Sequence, residues 1–104
     1  MDEVIKHEIT MNCYYVKRGK PAASMALQER YVEQAITITK DDNLNSYVEN
    51  LAEDWVTFWI YKYTHILEVI KATPQTPKTT FDHWLLGKLY GYDEVSIDEF
   101  VRRK

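Results

Sequence analysis

The nine residues "WVTFWIYKY", 55–63, admit both a helix and a strand. As a helix they continue a stripe that begins upstream. Leu44, Tyr47, Val48, Leu51, Ala52, Trp55, Phe58 and Trp59 follow one face, and Glu49, Asn50, Glu53 and Asp54 lie off it. Asp42 or Asn43 supplies a cap at the start. As a strand, the same residues are strong β formers. The long stripe favours the helix. Two features limit its length. Lys62 falls in the middle of the apolar face. A single helix over 43–72 would also run about 45 Å at the usual rise, too long for a compact domain whose radius of gyration is near ~13 Å. A break is therefore expected between Ile60 and Thr64, with another helix through Ile66, Leu67 and Ile70.

Upstream, Pro21 suits a first helical turn. From there to Lys40, the residues Glu29, Arg30, Glu33, Gln34, Thr37 and Lys40 share one polar arc of a helical wheel. Met25, Leu27, Tyr31, Val32, Ala35, Ile36 and Ile38 fill the rest. An apolar arc of about half the wheel points to packing against more than one neighbour. The first segment, Asp2 to Arg18, is open between helix and strand: Ile9, Met11, Cys13 and Tyr15 alternate, whereas Ile5, Ile9, Cys13 and Val16 fit a helical stripe. Its ends favour the helix, with Asp2 as a cap and Lys17 and Arg18 before a stop at Gly19.

Downstream, "ATPQTPKTT", 72–80, contains Pro74 and Pro77, which forbid a continuing helix. It reads as a bend inside one domain. Thr79 and Asp82 then form a capping-box-like start. Phe81, Trp84, Leu85 and Leu89 make an apolar face, and Gly91 ends the helix in a left-handed turn. Asp93 caps a last helix carrying Ile97, Phe100 and Val101. Gly91, Tyr92 and Asp93 are thus the hinge of a helical hairpin over 78–103.

The whole chain of 104 residues, 1–104, reads as one domain. The expected class is mostly α: a single small helical domain of roughly four to six helices with a C-terminal helical hairpin, its N-terminal segment being the place where β stays open. One cysteine, Cys13, allows no intrachain disulfide and suits a reducing compartment. Lys6, His7 and Glu8 interrupt any leader-like apolar core. No run of apolar residues is long enough to span a bilayer. The expected setting is the cytoplasm, with no membrane contact.

Chemistry is sparse. His7, His65, His83 and Cys13 show no spacing that converges on a metal. Cys13 beside Tyr14 and Tyr15 reads as a small buried hydrophobe rather than a nucleophile. The paired acids point about 100° apart on a helix, so caps and solvated faces explain them better than acid–base dyads. No glycine-rich phosphate loop is present. No catalytic residue, cofactor or metal is expected. Net charge is −3, which argues against an electrostatic grip on nucleic acid. A helix-turn-helix reading of the C-terminal hairpin meets a second obstacle. Its last helix would present Asp93, Glu94, Asp98 and Glu99 to phosphates, and no recognition helix follows. The basic run 17–20 reads as a solvated turn, and Arg102, Arg103 and Lys104 suit a helix C-terminus. The run from Asp41 to Asp54 holds carboxylates and no basic residue, so an acidic mimic of DNA stays open as an alternative.

Aromatic content is the unusual feature, with eight Tyr, three Trp and three Phe. A small domain leaves some of these half-exposed, and interfaces favour Tyr and Trp. Tyr47, Trp55, Trp59, Tyr61 and Tyr63 are the candidate protein interface. The partner is an unidentified protein, and a second copy of this chain is one candidate. The plain alternative is that Trp55 and Trp59 are core.

"HWLLGKLYGYDEVSIDEF", 83–100, resembles the C-terminal end of small uncharacterised accessory proteins encoded by phages and prophages of Gram-positive bacteria. The resemblance implies a protein that adjusts a host or phage machine by binding it, and it carries over no catalytic residue. The combined expectation is a non-enzymatic protein-interaction module, a regulator or inhibitor from a mobile element. The alternatives are a nucleic-acid-associated protein with a partial helix-turn-helix, or the acidic mimic.

Overall fold

The computed structural model describes residues 2–74 and 76–102. Gln75 of the linker, and Arg103 and Lys104 of the basic end, lie outside the described residues. The elements run α1 (Glu3–Lys17), β1 (Ala22–Gln28), a 3-10 turn (Glu29–Tyr31), α2 (Val32–Asp41), β2 (Asn45–Ala52), β3 (Trp55–Tyr61), α3 (Thr64–Ala72), α4 (Thr80–Leu89) and α5 (Glu94–Arg102).

The mostly α expectation is overturned. Residues 55–61 form the central strand of an antiparallel sheet of order β1-β3-β2. The fold is mixed α/β, with a helical layer on each face of the sheet. The helical stripe from Leu44 to Trp59 misled for a physical reason. Val56, Phe58 and Ile60 face one side of the sheet, and Thr57, Trp59 and Tyr61 face the other. Both sides are largely covered, so the strand shows a near-continuous apolar run in place of hydrophobic–polar alternation. The residues from Asn45 to Tyr61 are two strands joined at Glu53–Asp54, where Asp54 takes a left-handed φ of 62°. Asn43 caps nothing. At φ 60° it ends α2, its N–H donating to Lys40 O at 2.9 Å and that of Leu44 to Thr39 O at 3.1 Å. This pair of bonds is a Schellman motif with Asn in the usual glycine position.

The helix expected from Pro21 is also corrected. Ala22–Gln28 is strand β1, paired with β3 in a register that sets Ser24 opposite Trp59 and Ala26 opposite Thr57. Helix α2 begins only at Val32. Alanine's helix preference is worth tenths of a kcal/mol per residue, and strand pairing overrides it. At the N-terminus the strand alternative is excluded. Residues Glu3–Lys17 are α1, and Asp2 Oδ1 accepts the Val4 N–H at 2.8 Å.

Two cores result. On the first face, Ile9, Cys13 and Val16 of α1 and Ala35 of α2 pack on Met25, Leu27, Val56, Phe58 and Ile60. On the second, Ile70 of α3 and Leu89 of α4 pack on Ala22, Trp59 and Tyr61, joined by Ile66, Leu67, Leu86 and Tyr90. The C-terminal hairpin follows. Thr79 Oγ1 accepts the Asp82 N–H, and Asp82 Oδ2 accepts the Thr79 N–H. Gly91, at φ 85°, closes α4 through Tyr92 N–H to Gly87 O and Gly91 N–H to Lys88 O. Asp93 Oδ1 then accepts the Ser96 N–H at 2.7 Å. Gly87 sits where the two helices meet. A Cβ there would lie 2.7 Å from Ile97 Cγ1. No helix among the described residues is long and apolar enough to cross a membrane.

Candidate functional site

The second face of the sheet is covered at one end only. Three cross-strand rows lie on it: Ala22–Tyr61–Asn45, Ser24–Trp59–Tyr47 and Ala26–Thr57–Glu49. Helices α3 and α4 close over the first two rows. The third stays open, and beyond it Trp55 and Leu51 are 40% and 49% exposed. Ala26 and Thr57 are small, so the sheet dips beside Trp59. Leu86 and Tyr90 of α4, with Thr73 and Pro74 of the α3–α4 link, raise a wall around the dip. The hollow so formed measures about 330 Å³.

Its geometry is fixed by polar bonds. The Trp59 indole N–H donates to Glu49 Oε1 at 2.8 Å. The Trp59 and Tyr90 rings stack with centroids 5.9 Å apart. Tyr90 Oη and Ser24 Oγ share a hydrogen bond of 2.6 Å. These contacts join β1, β2, β3 and α4 at one point. Among the described residues that line it, Glu49 alone carries a formal charge.

Helix α4 has a second groove on its other side, of about 540 Å³, between α4 and α5. Leu86 and Tyr90 line both cavities, so their side chains are shared between the two sides of α4. Tyr92 and Phe100 are exposed on the lip of this groove. Nearby, the Trp84 indole donates to Glu94 Oε2 at 3.0 Å, and Lys88 pairs with Glu94 Oε1 at 2.6 Å.

The five aromatics expected at an interface divide. Tyr47, Trp59, Tyr61 and Trp55 share the second sheet face, because the strand register places odd-numbered residues there together. Trp59 and Tyr61 are covered by the chain's own helices, at 5% and 6% exposure. Tyr47 is half-buried, with Lys71 Nζ 5.5 Å from its ring. Trp55 is exposed at the rim. Tyr63 is exposed before α3, stacked on His65. Of the hinge residues, Gly91 is placed so that a Cβ would lie 3.2 Å from Pro21 Cδ, Tyr92 is exposed and Asp93 caps α5. Sequence reasoning missed Leu86, Tyr90 and Glu49. The pattern of Glu49, Thr57 and Ala26 becomes visible only through the strand register.

Other candidates resolve into local partners. Lys17 pairs with Asp42 at 3.2 Å, Arg18 lies over Tyr14, and Lys20 lies over Tyr90. The acidic run does not make one face. Asp41 and Asp42 end α2, Glu49 enters the hollow, and Glu53 and Asp54 turn the hairpin roughly 25 Å away along β2. Cys13 is fully buried. Burial pushes its thiol up, and a Thr39 hydrogen bond opposes this. The thiolate, the reactive form, is therefore disfavoured. Among the described residues no three His, Cys, Asp or Glu side chains come together to hold a metal ion. Compared with known proteins, the chain matches no family model, no curated sequence and no solved structure.

Proposed function

We propose that this chain is a non-enzymatic protein-binding module, and that it binds through the open half of the second sheet face and the adjoining side of α4. The observation that carries this reading is the set of apolar and aromatic side chains gathered around the hollow. Leu51 and Trp55 stand at one rim, Leu86 and Tyr90 form the ridge, and Tyr92 and Phe100 mark the far lip. Apolar patches rimmed by polar residues are characteristic of contact surfaces, and aromatic anchors dominate the energy of such contacts. The likeness of the C-terminal hairpin to phage accessory proteins extends the reading to a regulator or inhibitor carried by a mobile element and acting in the cytoplasm.

The test is affinity capture of the tagged chain from a bacterial lysate, with and without nuclease, comparing wild type with Leu51→Asp and Phe100→Asp. Both positions are exposed, so both variants should fold, as circular dichroism will show. The reading expects a protein partner that resists nuclease and is lost or strongly reduced in the variants. Recovery of nucleic acid alone, with a steep salt dependence, would overturn it in favour of a nucleic-acid binder.

A further inference from the structure

We infer that the hollow beside Trp59 receives the ammonium end of a lysine side chain from the partner, with Glu49 as its counter-charge. This rests on the protein-binding reading above and names the chemistry that the partner brings.

The argument begins with the charge. Among the described residues, Glu49 is the one formally charged side chain lining the hollow. Its Oε1 accepts the Trp59 indole N–H at 2.8 Å, which fixes the carboxylate in place. Among the described residues, Oε2 has no hydrogen-bond or ion-pair partner. Lys71 rests over the Tyr47 ring and Lys20 over the Tyr90 ring, and among the described residues neither makes an ion pair with Glu49. A fixed carboxylate in an aromatic-lined recess repels anions and favours cations, and the chain's net charge of −3 acts in the same sense.

The shape adds the rest. The floor is Ala26 and Thr57, small enough to leave depth. Leu86 and Pro74 give apolar walls. A lysine buries its methylene stem along such walls while its head reaches a polar group. The choice of lysine over arginine follows from the acceptors. A guanidinium prefers a bidentate fork onto two carboxylate oxygens, and the indole already occupies one. An ammonium is a compact donor of three hydrogens. One free carboxylate oxygen, with the hydroxyls of Thr57 and of the Ser24–Tyr90 pair in the same recess, suits it better.

The full chain, ¹⁵N-labelled, reports binding directly through the indole N–H resonance of Trp59. Titration with n-butylammonium at constant ionic strength should displace that resonance saturably. 1-Butanol, which has the stem without the charge, should not. Glu49→Gln keeps an acceptor for the indole and removes the charge, and it should weaken butylammonium about tenfold or more. An unmoved indole resonance, an equal response to butanol, or undiminished affinity in Glu49→Gln would overturn the inference. Tighter binding of n-butylguanidinium would overturn the choice of lysine. If lysate capture stays sensitive to Leu51→Asp while butylammonium has no effect, the lysine assignment falls and the protein-binding reading stands. If butylammonium binds and no protein is captured, the reading of a protein partner falls instead.

Discussion

Trp59 is the residue on which the second face turns. It lies between Ser24 and Tyr47 in the sheet, stacks on Tyr90 and donates to Glu49. Its burial within one chain means that substitution acts on stability first. Trp59→Ala should cost about 3–5 kcal/mol, the usual range for deleting a buried large aromatic. Urea unfolding measures this, and a variant that keeps wild-type stability while only its sedimentation changes would contradict the packing described here. Trp59→Phe keeps most of the ring volume and loses the indole donor, so it should cost less and leave Glu49 unanchored. At this scale the sequence was partly legible. Trp59 as core was one of two readings of an aromatic-rich segment. The Glu49 partnership was hidden, because ten residues of separation along the chain say nothing of adjacency until the strand register is known.

At the scale of elements, the C-terminal hairpin tests how capping and packing divide the work. Backbone N–H groups of Lys78 and Thr79 hold the Asp82 carboxyl below the usual carboxylate range, and that of Ser96 does the same for Asp93. A depressed folded-state value stabilises the fold above the unfolded value, near ~3.9, and that stabilisation is lost as the pH falls through the folded value. Helicity at 222 nm should therefore decline on acidification below about pH 4. Asp93→Asn, which caps without titrating, should flatten the part of the decline due to α5. Gly87→Ala sets two effects against each other. Alanine gains about 1 kcal/mol of helix propensity, and overpacking against Ile97 costs about 1–3 kcal/mol. The second should win, and amide exchange in α5 should accelerate more than in the sheet. The hairpin was readable in advance because caps and Gly91 are local signals. The strands were not, because β1 is written in alanines and β3 is apolar on both sides. Strands β2 and β3 form a local hairpin, but β1 pairs with β3 across more than twenty residues of sequence, which no local pattern encodes.

Across the whole molecule, stability is unevenly spread. The sheet and α1 share the larger core, whereas Ile97 is the one buried residue of α5. The strand order has a consequence for the chain when it is not folded. "WVTFWIY", 55–61, is rich in β formers and carries no charge, the profile of segments that stack into cross-β fibrils. In the native sheet it is the middle strand, so both of its backbone edges are consumed. Of the strands that border solvent, β2 sets Asn45, Ser46, Glu49 and Asn50 among its apolar residues, which discourages edge-to-edge pairing. Fibril formation should then be limited by global opening. Thioflavin-positive assembly should be negligible under native conditions and rise in mild urea near the unfolding midpoint. Thr57→Lys, on the open row of the sheet, should suppress assembly without abolishing the fold, because a charge inside the segment acts as a gatekeeper only once the strand is released.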